Sequence, residues 1–269
     1  MDPLARHNVV TSGAEGRQPM LFAHGFGCDQ TMWRHVAPAF ADRHRVITFD
    51  HVGAGGSHLA AYDPQKYADL RGYASDVLDI VRELDLHDVV FVGHSVSAMI
   101  GALAVIEAPE RFSSLVMVGP SPRYLDDGDY AGGFSRQDID ELLESLASNF
   151  LGWSAAMAPA IVGNPDRAEL GAELTASFCR MDPDIARQFA TATFLSDNRE
   201  DLGRIPVPTL VLQCAEDFIA PDSVGAYVAN AVPDGTLVRM AATGHCPNLS
   251  APEETIAVID DFLRRREAA

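Results

Sequence analysis

Lysine is almost missing from this chain: Lys66 stands alone, and arginine supplies the remainder of 20 basic residues against 38 acidic ones. The resulting formal charge of −18 repels phosphate backbones and anionic lipid, so neither nucleic acid nor a membrane surface is expected as a partner. The lysine shortage itself reads as composition rather than mechanism. Cysteine is scarce as well. Cys28, Cys179, Cys214 and Cys246 lie far apart with no C-x-x-C pair, which argues against a zinc site or a redox dithiol and leaves four reduced thiols. No run approaches the roughly 18 uninterrupted apolar residues of a spanning helix. The opening MDPLARHNVV carries neither an apolar core nor a small-residue cleavage pattern, so the expected compartment is the cytoplasm.

What is present is an ordinary globular composition, 47% apolar over 269 residues, enough to bury a sizeable pocket in one core with an insertion. Short apolar runs alternate with longer helical patterns, the signature of a mostly parallel sheet flanked by helices. Met20–Ala23, Val46–Phe49, Val89–Val92, Leu115–Val118, Thr209–Leu212 and Thr236–Met240 read as strands. Tyr67–Leu84 and Ala98–Glu107 have apolar spacing near 3.6 and read as helices, and Pro252–Arg266 is expected to close the chain as another. Between residues 121 and 198 the strand pattern stops and several helices are expected, the first capped by Ser135 with Asp138. The chain thus divides into a core of residues 1–120 and 199–269 and a helical lid of residues 121–198 inserted into it.

The run Val89-Val90-Phe91-Val92-Gly93-His94-Ser95-Val96-Ser97-Ala98 sets a strand, a tight turn and a small-residue helix start in succession. This is the context of a nucleophile elbow, G-x-S-x-G, except that Ser97 occupies the second glycine position. A serine hydroxyl is a poor nucleophile without a base and an orienting acid. His245, in the loop Thr243-Gly244-His245-Cys246-Pro247 after the last strand, is placed to be that base. His7, His35, His44, His58 and His87 sit in polar contexts and are expected in solvent, whereas His24 and His94 read as hydrogen-bonding residues of their turns. Two carboxylates, Glu216 and Asp217, follow the strand at Thr209–Leu212, and either completes the chain order Ser, acid, His of an α/β-hydrolase fold. Acyl transfer also needs donors for an oxyanion. Phe26, between Gly25 and Gly27, and Val96, directly after Ser95, offer backbone N–H groups for that purpose. The glycines of Gly53-Ala54-Gly55-Gly56 do not match G-x-G-x-x-G and read as a tight turn.

Together, His24-Gly25-Phe26-Gly27-Cys28-Asp29-Gln30, Gly93 to Gly101, Leu212 to Asp217 and Gly244-His245 resemble the RsbQ-type bacterial stress-regulation hydrolases and their plant relatives, the karrikin and strigolactone receptors. In that family a serine at position 97 is normal. The resemblance spans essentially the whole chain and implies Asp217 as the acid, a four-helix lid, and neither metal nor organic cofactor. It further implies a pocket lined by Phe26, Tyr124, Phe134, Leu142, Trp153, Phe194 and Ile219, with Met157 where relatives often carry a ring. Cys28 and Cys246 fall beside these loops, so either could touch a ligand, with plain packing the favoured expectation. The implied ligand is a small, largely apolar ester or lactone, in keeping with a lid that has no basic cluster. A regulatory protein partner is also implied: a sensor-linked phosphatase in RsbQ-type systems, a ubiquitin-ligase adaptor in plants. Dehalogenases and epoxide hydrolases are set aside because they place Asp at the elbow, whereas carbon–carbon bond hydrolases and cofactor-free haloperoxidases keep Ser.

Overall fold

In a computed structural model that describes residues 1–267, the strands are β1 (Val10–Ser12), β2 (Pro19–Ala23), β3 (Arg45–Phe49), β4 (Val89–His94), β5 (Phe112–Val118), β6 (Thr209–Glu216) and β7 (Gly235–Thr243). They form one sheet in the order β1-β3-β2-β4-β5-β6-β7, parallel throughout except for β1 against β3. β2 and β4 are buried along their whole length, which is why they read as unbroken apolar runs and not as alternating ones. β1 was not expected. It is three residues long and exposed at each, so no apolar pattern betrays it.

The helices in chain order are α1 (Pro3–Arg6), α2 (Leu70–Glu83), α3 (Val96–Glu107), α4 (Arg136–Ser148), α5 (Phe150–Val162), α6 (Ala168–Phe178), α7 (Pro183–Phe194), α8 (Arg199–Leu202), α9 (Asp222–Ala231), α10 (Pro247–Ser250) and α11 (Pro252–Glu267). α2 starts three residues later than its periodicity predicts. Asp69 is extended and caps it by accepting from Arg71 N at 2.8 Å, and residues Lys66–Ala68 form a separate, kinked turn. α3 is apolar on all sides because it is wedged between the sheet and its neighbours. Between β5 and β6 come α4 to α7, with the capping box of Ser135 and Asp138 opening α4 as expected. α8 returns the chain to the core, packing on α3 and α9.

Two histidines expected in solvent are buried. His44 is 2% exposed and His7 fully enclosed, its ring edge-on to Phe49. His7 lies beside Asp76, a carboxylate buried within α2 that also accepts from Lys66 Nζ at 2.5 Å and Tyr67 OH at 2.7 Å, with Arg6 at 3.3 Å. The lone lysine is therefore spent on a buried anion. Burial alone pushes the Asp76 carboxyl up, but contacts with His7, Lys66 and Tyr67 outweigh it and hold the carboxyl at about 2. A depressed carboxyl contributes stability that is complete above its unfolded value near pH 4 and disappears as pH falls towards 2. Asp76→Asn is therefore expected to cost about 2 to 3 kcal/mol at pH 7. The difference from wild type should shrink steadily between pH 4 and 2, as urea midpoints at each pH will show.

Candidate active site

Because β2, β4, β6 and β7 run parallel, the loops at their carboxyl ends emerge along one edge of the sheet and bring distant residues together. Ser95 follows β4 directly, with φ +57° and ψ −125°, in the left-handed region that a non-glycine residue enters only in a constrained turn. Two residues earlier the turn demands glycine: a Cβ on Gly93 would stand 2.3 Å from Ser97 O. At position 97 the space does admit a side chain, which explains the departure from the motif's second glycine. Ser97 is fully buried, and its hydroxyl donates to His24 O at 2.5 Å.

Ser95 Oγ lies 2.7 Å from His245 Nε2, and His245 Nδ1 lies 2.8 Å from Asp217 Oδ2. The other Asp217 oxygen accepts from Ile219 N at 2.8 Å and Ala220 N at 3.0 Å. Burial raises the Asp217 carboxyl, but His245 and these two N–H groups outweigh it and leave it below the usual carboxylate value, so it is ionised. The competing carboxylate, Glu216, is exposed at the end of β6. An ionised Asp217 takes the Nδ1–H of His245, which leaves Nε2 bare towards Ser95.

Around this relay, Val96 is the first residue of α3, so its N–H has no intrahelical acceptor, and the Phe26 N–H has none among the described residues. The Gly25 backbone runs so close to the elbow that a Cβ there would meet His94 Nδ1 at 2.6 Å. His94 and His24 both turn out to be hydrogen-bonding residues, as expected. His94 Nε2–H donates to His245 O at 2.7 Å, and burial with the neighbouring His245 holds its imidazole down at about 3, hence neutral.

These groups border a cavity of about 30 Å³, room for a single water. Of the residues implied as lining, Phe26, Tyr124, Phe194 and Ile219 border it. Phe134, Leu142, Trp153 and Met157 do not. Trp153 is stacked on Phe178 at 5.4 Å between ring centroids, and Phe178 takes the inner place. Phe134 lies behind Phe194, edge-on to Phe218. Leu142 is buried in α4, and Met157 is half-buried on α5. Ile161, Leu174, Phe178 and Thr193 complete the wall and were missed, because periodicity marks a buried face without telling which neighbour it meets. Cys28 and Cys246 also border the cavity, and burial pushes both thiols up, so they stay protonated. Among the described residues, no Lys or Arg lines the cavity. Among the described residues, no three His, Cys, Asp or Glu side chains cluster in a way that could hold a metal ion.

α5 to α7 hold the loops of this site directly. His245 N–H donates to Ile161 O at 2.8 Å, and Ser177 Oγ donates to Gly27 O at 2.9 Å. The Phe26 ring is packed among Trp153, Phe178, Phe189 and Phe194. Ion pairs of Arg180 with Asp29 at 2.7 Å and Glu173 with Arg34 at 2.6 Å tie α6 and the turn after it to the segment following β2.

The chain belongs to the alpha/beta hydrolase family, whose model matches residues 20–258. It is 39% identical to the Karrikin insensitive 2 receptor CA of Petunia hybrida over 94% of both chains. With the Strigolactone esterase D14 of Arabidopsis thaliana the identity is 38%, covering 97% of this chain and 98% of that one. A solved structure of a hydrolase from Oleispira antarctica superposes with a TM-score of 0.95 at 39% identity, covering 98% of this chain and 96% of that one. The likeness to the plant receptors drawn from the sequence motifs is thus borne out. No helix among the described residues is long and apolar enough to cross a membrane.

Proposed function

We propose that this protein hydrolyses a small, uncharged, largely apolar ester or lactone through an acyl-enzyme on Ser95. The observation that carries the proposal is the unbroken relay from Ser95 Oγ through His245 to Asp217, with 2.7 Å and 2.8 Å contacts, at the wall of an apolar cavity. His245 Nε2 removes the Ser95 proton as Oγ attacks the carbonyl carbon. The N–H groups of Phe26 and Val96 receive the negative charge on the carbonyl oxygen. Protonated His245 then gives its proton to the leaving alkoxide, and a water deprotonated by the same nitrogen releases the acid. The absence of a cation from the cavity wall favours a neutral substrate over a phosphate or polycarboxylate.

A cavity of about 30 Å³ holds no ester, so residues 121–198 act as a lid whose helices shift to admit one. Phe178, the inner ring of the lid, limits the acyl group. Turnover of p-nitrophenyl esters from acetate to octanoate tests this. Wild type should favour the shortest chains, and Phe178→Ala should move the optimum towards longer ones. Equal rates along the series, or an unchanged optimum in the variant, would count against a lid-limited cavity.

A second reading, a ligand-responsive signalling protein with slow turnover, has support in the His245 N–H bond to Ile161 O, which couples the lid to the histidine loop, and in the receptor named among the relatives. In that reading the lid surface carries the regulatory partner. Fast multiple turnover together with no partner retained from lysate would rule it out.

A further inference from the structure

Beneath the elbow lies a closed set of hydrogen bonds that the relay does not use. Ser97 Oγ donates to His24 O at 2.5 Å, so the same oxygen accepts from His51 Nε2–H at 2.8 Å. The backbone N–H of His51 donates in turn to His24 Nε2 at 3.1 Å, and His24 Nδ1–H donates to Gly25 O at 2.9 Å. The donors fix both tautomers, and all three residues are at least 99% buried. Burial lowers both imidazoles, so neither carries charge. The His51 ring is packed among Phe49, Tyr73 and Phe189 with centroids at 5.1, 5.6 and 6.0 Å.

The position of this set matters more than its strength. His24 O belongs to the loop whose Phe26 N–H has no acceptor among the described residues, and Ser97 lies one residue beyond Val96, whose N–H has none among them either. One hydroxyl therefore spans the two backbones that bear the proposed oxyanion donors, and His51, arriving from the end of β3, holds that hydroxyl in its rotamer. A glycine at position 97 would leave His24 O and His51 Nε2–H buried without partners and the two backbones unlinked.

We infer that Ser97 and His51 are positioning residues that set the spacing between the Phe26 and Val96 amides. This inference rests on the hydrolase reading above. Neither residue touches the reacting atoms, so its effect should appear where charge develops and not where substrate binds.

Kinetics with p-nitrophenyl acetate, and the affinity for phenylboronic acid, whose tetrahedral Ser95 adduct places an oxygen between the two amides, test this in the full-length protein. Ser97→Ala and His51→Leu should each lower kcat and boronate affinity by a similar factor, about 10- to 30-fold, a shifted donor costing less than a deleted one. KM should stay within about twofold, since ground-state binding is untouched. His51→Gln, which keeps an N–H donor, should recover most of the loss. The Ser97→Ala, His51→Leu double variant should be no worse than either single one, because both break the same linkage. If Ser97→Ala does not fold, Ser97→Cys, with similar volume and a weak donor, is read in the same way. Folded variants with unchanged kcat and boronate affinity overturn the inference, as does a His51→Gln protein as impaired as His51→Leu. A wild-type protein that neither turns over the ester nor binds the boronate in a Ser95-dependent way overturns the hydrolase reading with it.

Discussion

Ser95→Ala should lower kcat for p-nitrophenyl acetate by about 10⁵-fold or more, with little change in stability. The size follows from the absence of a substitute. Thr193 and Tyr124 also bring hydroxyls to the cavity, but neither is hydrogen-bonded to His245, and burial pushes the Tyr124 phenol up. Cys28 and Cys246 are protonated thiols there. Whatever rate persists would come from the Phe26 and Val96 amides and from His245 acting on water, and residual catalysis of this kind is small. The stability change is modest because alanine keeps the Cβ that the left-handed turn already accommodates. Only the bond to His245 Nε2 is lost, worth about 1 kcal/mol. A variant retaining a tenth of wild-type kcat would place the nucleophile elsewhere.

Asp217→Asn is the second large effect, about 10⁴ in kcat, and it separates Asp217 from its neighbour. The asparagine oxygen still accepts from the Ile219 and Ala220 N–H groups, so the loop should hold. Its NH₂, however, now points at His245 Nδ1. That nitrogen must then be bare, Nε2 takes the proton, and the imidazole donates to Ser95 Oγ where it previously accepted. Glu216→Gln provides the contrast: its side chain is exposed, and kcat should stay within about twofold of wild type. Steady-state assays of both variants, with melting temperatures to confirm folding, decide the assignment. Comparable losses in the two would mean that the loop as a whole, and not one carboxylate, serves His245.

Much of this architecture was legible in the chain, and the reasons differ from place to place. β2 and β4 announce themselves because a parallel strand covered on both faces must be apolar throughout, and the elbow does so because few sequences pass from strand to Gly-His-Ser to a small-residue helix. β1 hides in three exposed residues, and α9 in the stretch between the acid and the last strand. His7 and His44 misled because polar neighbours in sequence are no guide to the neighbours in space: His7 is enclosed beside Asp76. The helical segment between β5 and β6 was the least legible part. Its apolar positions are plain, but only the packing of four helices decides that Phe178 faces the cavity and Trp153 stands behind it. Ser97 lay between these cases. Its departure from glycine was visible, whereas its partner His51, 46 residues away, was not.

In the proposed reaction Ser95 attacks a carbonyl-like electrophile. Incubating the protein with a fluorophosphonate and locating the adduct by peptide mass spectrometry tests it most directly, since the reagent needs both an activated hydroxyl and a place for the developing oxyanion. One phosphonate per chain is expected, on the peptide containing Ser95, and none on Ser95→Ala. A wild-type protein that remains unmodified, or one labelled at Cys28, Cys246 or any residue other than Ser95, would contradict it.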